Sequence, residues 1–231
     1  MGNPRYVLVA SLAMLFVCSS LTVQATTYVL SGSQKAGSIS GGPKIGGKAL
    51  TLKKPAVITK VNRQAESFTL WKDGKAFVSG DKDHEVTGLL PAGRYILKTS
   101  AGKVSIHLND GIKPPAITLW AKQKKGPNHW FKGNRVVLGQ AYSITNFRYK
   151  GTKGVGIFAV VNNQSTHRPT YLHISAHNKR EKGPRHMDAK GKQLKTLKGK
   201  VLGPGVFTCT PGLGTADQIV EASFQLKITA Q

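Results

Sequence analysis

FTLWKDGKAFV, residues 68–78, decides the fold. Two strand-like runs, FTLWK and KAFV, flank Asp73-Gly74. An Asp-Gly pair tolerates the positive φ that a tight hairpin turn demands, so the stretch predicts two antiparallel strands. The same period of two continues outward from it. EVTGLL, a PAG turn, RYILKTS, an AG turn and KVSIHL follow in order through residue 108. In RYILK, Tyr95 and Leu97 share one face. In KVSIHL, Val104, Ile106 and Leu108 share a face, with Lys103, Ser105 and His107 opposite. Such alternation belongs to strands with one face on a core.

Beyond GIKPP, residues 111–115, the pattern resumes. AITLWA, NRVVLG, YSITNFRY, GVGIFAVV, YLHISA, KVLG, VFTCT and ASFQLKIT are all strand-like. GIFAVV is apolar on both faces, which predicts a central strand. GTADQIVEA, residues 214–222, is the one candidate for a short helix, with Thr215 as its cap. Short strands between Gly-containing turns predict an all-β fold, an antiparallel β-sandwich of Ig-like or jelly-roll-like kind. The LPAG-x-Y turn, residues 90–95, resembles turns of many Ig-like modules, without pointing to one family. FTLW at 68–71 is echoed by ITLW at 117–120. The echo favours two small modules, 49–112 and 113–231.

The N-terminus reads as an export signal. Arg5 precedes an apolar run, and Val23 and Ala25 are the small residues that a signal peptidase accepts, so cleavage is expected after Ala25. The run is too short for a membrane anchor. Residues 26–48 are rich in Gly and Ser and read as a flexible arm, although TTYVL at their start can add an edge strand. Removing residues 1–25, whose only charge is Arg5, leaves 206 residues and lowers the formal charge from +24 to +23. Cys209 is then the only cysteine, so no intramolecular disulfide forms. A cysteine-poor exported β protein points to a bacterial periplasm or cell surface rather than to a small disulfide-framed secreted domain.

Catalytic and metal motifs are missing from the sequence: there is no nucleophile elbow, HExxH or P-loop. Nothing calls for a cofactor. Asp73, Asp83 and Glu85 are candidates for a hydrolytic carboxylate pair only because carboxylates are scarce. His173 and His177 are four apart, but YLHISAH reads as a strand, where that step spans roughly 13 Å and cannot chelate one ion.

What stands out is basic. In KQKKGPNHWFKGNR, residues 122–135, Lys122, Lys124, Lys125, Lys132 and Arg135 surround Trp130 and Phe131. Gly126-Pro127-Asn128 is turn chemistry, so the stretch predicts a hairpin tip. Period two also predicts that only one of the two aromatics faces outward. A second basic run, residues 178–200, holds nine Lys/Arg, among them Lys179, Arg180, Lys182 and Arg185, against Glu181 and Asp188. It reads as a long exposed loop or β-excursion. Trp130 and the named cations of both segments are the expected ligand contacts. The expected partner is an anionic polymer or surface: polysaccharide, lipopolysaccharide, extracellular nucleic acid or anionic lipid. The alternative is an envelope or appendage component that self-associates through edge strands. A polymer hydrolase ranks third.

Overall fold

The structure is a computed structural model. It describes residues 25–34, 49–126, 128–151, 157–163, 168–176, 185–188, 192–213 and 220–231. Residues 1–24, 35–48, 177–184 and 189–191 lie outside the described residues, and with them most of the expected signal peptide and arm and the candidates Lys179, Arg180 and Lys182.

Strand is the only regular structure among the described residues. The first half holds β1 (Thr27–Gln34), β2 (Leu50–Leu52), β3 (Ala56–Arg63), β4 (Ser67–Lys72), β5 (Lys75–Asp81), β6 (His84–Leu90), β7 (Gly93–Thr99) and β8 (Gly102–Asn109). The second half holds β9 (Ile117–Lys125), β10 (Trp130–Leu138), β11 (Tyr142–Gly151), β12 (Ile157–Asn163), β13 (Arg168–Ala176), β14 (Arg185–Asp188), β15 (Gln193–Leu194), β16 (Val201–Leu202), β17 (Gly205–Leu213) and β18 (Val220–Ala230). The all-β expectation holds. Its basis is visible at the β4–β5 turn, where Asp73 and Gly74 take φ of 49° and 83°. The Asp73 carboxylate also accepts the Arg94 amide at 3.0 Å, which fastens the turn to the start of β7.

The strands form a four-stranded sheet, β2-β7-β4-β5, and one 14-stranded sheet. Two buried clusters form the core: the first lies between the two sheets, and the second is enclosed by strands of the large sheet alone. The first takes Phe68, Leu70, Tyr95 and Leu97 from the small sheet and Leu30, Val104, Ile106 and Leu108 from β1 and β8. Tyr95 is fully buried and donates its hydroxyl to the Pro91 carbonyl at 2.7 Å, so the LPAG-x-Y turn closes on its own tyrosine. The second cluster takes Leu119, Val136, Tyr142, Ile144, Val161, Phe207, Phe224 and Leu226 from the later strands. β12 pairs with β13 on one side and β17 on the other, as its two apolar faces predict.

The halves share the large sheet. β6 pairs with β10 in parallel, from Gly133↔His84 to Val137↔Gly88. β10 then changes partner along its other edge. Trp130 to Gly133 pair with β9, and Arg135 to Leu138 pair with β17. Asn134 sits at the changeover, 3% exposed. Its Oδ1 accepts from the Trp120 backbone N–H and its Nδ2 donates to the Thr118 carbonyl, both at 2.8 Å. The amide thus stands in for the strand that β9 loses there. Asn134→Leu is expected to cost about 2–4 kcal/mol in denaturant unfolding, because two backbone groups of β9 lose their partner in a buried place.

Several expectations need correction. TTYVL forms the edge strand allowed for it, but residues 31–34, expected in the loose arm, continue that strand: β1 lies along β8 from Thr27↔Asn109 to Gln34↔Gly102. The C-terminal end of the expected helix, Val220 to Ala222, is strand paired with β9, because Ala222 belongs to the alternating face that continues through Phe224, Leu226 and Ile228 into the core. In the 178–200 segment β14 and β15 fit the β-excursion reading, and the correction is to its exposure: Leu197 is buried in the second core, 3% exposed.

Cys209 lies in that core. Burial pushes its thiol up to about 12, so the reactive thiolate is scarce at neutral pH. A chromogenic disulfide reagent is expected to label the thiol only after denaturation.

Candidate functional site: a basic strand face carrying tryptophan

Directly paired residues of antiparallel strands put their side chains on the same face, with strands about 4.8 Å apart. This fixes the outward face of the β10-β9-β18-β11 segment. One cross-strand row runs Lys132, Lys122, Ser223, Lys150. The next runs Trp130, Lys124, Glu221. A third, nearer the strand centres, runs Trp120, Gln225, Arg148. The opposite face of the same strands carries Leu119, Ala121, Ala222, Phe224 and Leu226 into the core. The core side therefore sets the basic side: alternation that buries one set must present the other.

Trp130 is 37% exposed, and Lys122, Lys132, Arg148 and Lys150 are exposed. Phe131 turns the other way, packs against the second core and lies 5.2 Å from the His84 ring. The aromatic pair is divided as alternation requires. A cleft of about 370 Å³ opens here, with Trp130, Lys122, Lys150, Glu221 and Ser223 around it. Within this face, Lys124 stands 3.7 Å from the Glu221 carboxylate. The Lys122 ammonium lies 6.0 Å from the centre of the Trp120 ring, at the outer limit of a cation–π contact.

The structure sorts the sequence-predicted residues. Lys122, Lys124, Trp130 and Lys132 share the face. Lys125 has the opposite parity. Arg135 is also turned away: its Nη1 donates to the Ser79 carbonyl at 2.6 Å and lies 3.6 Å from Asp81 Oδ2. Burial lowers the Arg135 guanidinium and Asp81 opposes it, the signature of a structural ion pair between the halves. At Asp81 burial acts to raise the carboxyl, but His84, the Asp83 amide and Arg135 outweigh it and hold it below the usual range. Arg185 is in β14, with β17, β12 and β13 between it and β10 along the sheet. The cations belong to strands rather than to a loop, since β9 and β10 reach Lys125 and Trp130 and leave only residues 126–129 for the turn. Gly126 and Asn128 take φ of 110° and 59° there, as turn residues should.

Arg148, Lys150, Glu221 and Ser223 were not anticipated. They come from strands remote in sequence, and only the ladder registers bring them here. The candidate carboxylates lie elsewhere: Asp73 in the β4–β5 turn, Asp83 and Glu85 around the start of β6. Among the described residues no His, Cys, Asp and Glu group is arranged to hold a metal ion. His173 falls on strand β13. His177 lies outside the described residues. Comparison with protein families, curated proteins and solved structures found no match.

Proposed function

We propose that this protein is an exported, non-catalytic binder of an anionic glycan, built from two β-sandwich modules whose cores are the two buried clusters. The carrying observation is the strand face that sets exposed Trp130 among Lys122, Lys124, Lys132 and Lys150. A mature charge of +23 draws polyanions to it. Within that class, two features favour a glycan over nucleic acid. One exposed indole offers a platform for one ring, whereas single-stranded nucleic acid is held by stacking of successive bases. Glu221 sits inside the basic field, where its carboxylate can accept hydrogen bonds from the hydroxyls in which a glycan is rich.

The test is titration with polygalacturonate, heparin and single-stranded DNA over a salt series, followed by tryptophan fluorescence. Binding of the uronate polymers should weaken steeply with salt and perturb the emission, with DNA weaker at each salt. Affinity that is indifferent to salt, or the absence of any binding at low salt, sinks the reading.

A second reading, assembly by strand addition, is favoured by a separate feature. β3 and β6 pair only at Ala56↔Leu90 and Val57↔Leu89. Each continues on its far side, β3 with β8 and β6 with β10. Between the diverging strands lies a cleft of about 520 Å³, with Ile58, Val61, Phe68, Val86 and Thr87 around it. Two facing strand edges suit an inserted strand. Size-exclusion chromatography over a wide concentration range, with hydrogen exchange at residues 59–63 and 84–87, checks it. A strict monomer with fast exchange at both edges argues against self-insertion.

A further inference from the structure

Asp110 follows β8 and faces the start of β1. Its side chain is 2% exposed. Oδ1 accepts the Thr26 backbone N–H at 2.8 Å, and Oδ2 accepts the Tyr28 hydroxyl at 3.0 Å. Lys54 Nζ approaches Oδ2 at 3.5 Å. The Asp110 backbone N–H in turn donates to the Thr26 carbonyl at 3.2 Å. Thr26 is thus gripped from both sides by one residue, and the Thr26 amide is the main reason that the Asp110 carboxyl is held below its usual range.

Thr26 is also the residue that follows the expected cleavage point, and the two facts rest on independent grounds. One comes from the small residues at 23 and 25, the other from hydrogen bonding 84 residues away along the chain. Hydrolysis of the Ala25-Thr26 bond gives the water's hydroxyl to the Ala25 carbonyl and its hydrogen to the Thr26 nitrogen. That nitrogen then takes a further proton from solvent, and nothing is oxidised. A neutral amide donor becomes an α-ammonium with three donors, already at hydrogen-bond distance from a carboxylate oxygen. Charge-assisted bonds of this kind are roughly twice as strong as neutral ones. We propose that Asp110 is the receptor for the α-ammonium that export processing creates at Thr26, and that cleavage thereby locks β1 onto β8. β1 needs such a lock. Among the described residues it ends its sheet and has a ladder with β8 alone, while it supplies Leu30 to the first core. Lys54 does not compete for the position, because it approaches the other oxygen and keeps 40% of its side chain exposed.

The test uses the exported protein as isolated. Mass spectrometry of its first residue is expected to give Thr26. Mild periodate converts an N-terminal threonine to a glyoxylyl group, releasing ammonia and acetaldehyde, and so removes the ammonium without touching the lysines. In wild type this should lower the thermal midpoint by about 2–4 °C, the size expected of one good ion pair in a chain of this length. In Asp110→Asn the same treatment should shift it by less than about 1 °C, because the pair is already gone. Should Asp110→Asn not fold, hydrogen exchange in wild type serves instead. The β1 amides should speed up after periodate and the β4 amides should not. A first residue other than Thr26, or no midpoint shift in wild type, overturns the proposal. So does an equal shift in both proteins, or β1 exchange that periodate leaves unchanged.

Discussion

Gly88→Ala is expected to cost about 3–5 kcal/mol, enough to abolish much of the stability of a domain of ordinary margin. Two independent penalties meet at this position. Gly88 takes φ of 116°, a left-handed conformation that a Cβ strains by about 1–3 kcal/mol. An added Cβ would also lie 2.1 Å from the Val137 carbonyl oxygen and 2.9 Å from its nitrogen. Neither neighbour is a side chain that can swing aside. Val137 is the β10 residue opposite Gly88 in the parallel ladder, so relief requires β6 and β10 to move apart. That movement takes the ladder between the halves with it, together with the Arg135–Ser79 bond. Gly74→Ala is the matched control. Its φ of 83° carries the conformational strain alone, since nothing lies within 4 Å of the added carbon. Urea unfolding of both variants should place Gly88→Ala at least about 2 kcal/mol below Gly74→Ala. Equal midpoints would mean that β6 and β10 are not in close register.

How much of this was readable from residues alone differs from element to element. The 68–78 hairpin was, because Asp73-Gly74 names its own turn and the alternation on each side names the buried face. So was the division of Trp130 from Phe131. The inversion of Arg135 was readable too: it lies three residues beyond Lys132, an odd step, and a strand turns odd steps to its other face. Lys125 fails on the same parity relative to Lys122 and Lys124. A hairpin-tip reading hid both, since loops obey no parity. The rest of the face was out of reach. Arg148, Lys150, Glu221 and Ser223 join it through ladder registers spanning up to about a hundred residues, and local alternation carries no register between remote strands. The parallel β6–β10 joint was hidden for the same reason. Asn134 gave no hint, because a buried amide that completes another strand's ladder looks in sequence like any turn-loving polar residue.

Reversing Lys122, Lys132 and Lys150 together to glutamate is expected to abolish uronate-polymer binding at physiological salt while leaving the fold intact. The three share one row across β10, β9 and β11, with Ser223 of β18 completing it. All three are exposed, and no ion pair to a carboxylate holds any of them among the described residues, so their loss removes no structural partner. Each cation that neutralises a polymer charge adds up to about 0.9 to the slope of log affinity against log salt on the most densely charged polymers, and less on a uronate chain. The triple variant should therefore flatten the slope by as much as two to three and weaken binding by at least about a hundredfold at low salt. Trp130→Ala separates the two components of the site. It should weaken binding by about 1–3 kcal/mol if the indole stacks on a ring as it does on bases, and leave the slope unchanged. The comparison that decides the matter is reversal of Lys53, Lys75 and Lys198, three exposed lysines away from the face. Both triple variants carry the same net charge. If they lose affinity equally, the polymer responds to the overall charge of the chain and the β10-β9-β18-β11 face is no site. If only the row variant loses it, binding is localised to the strand face that tryptophan and lysine share.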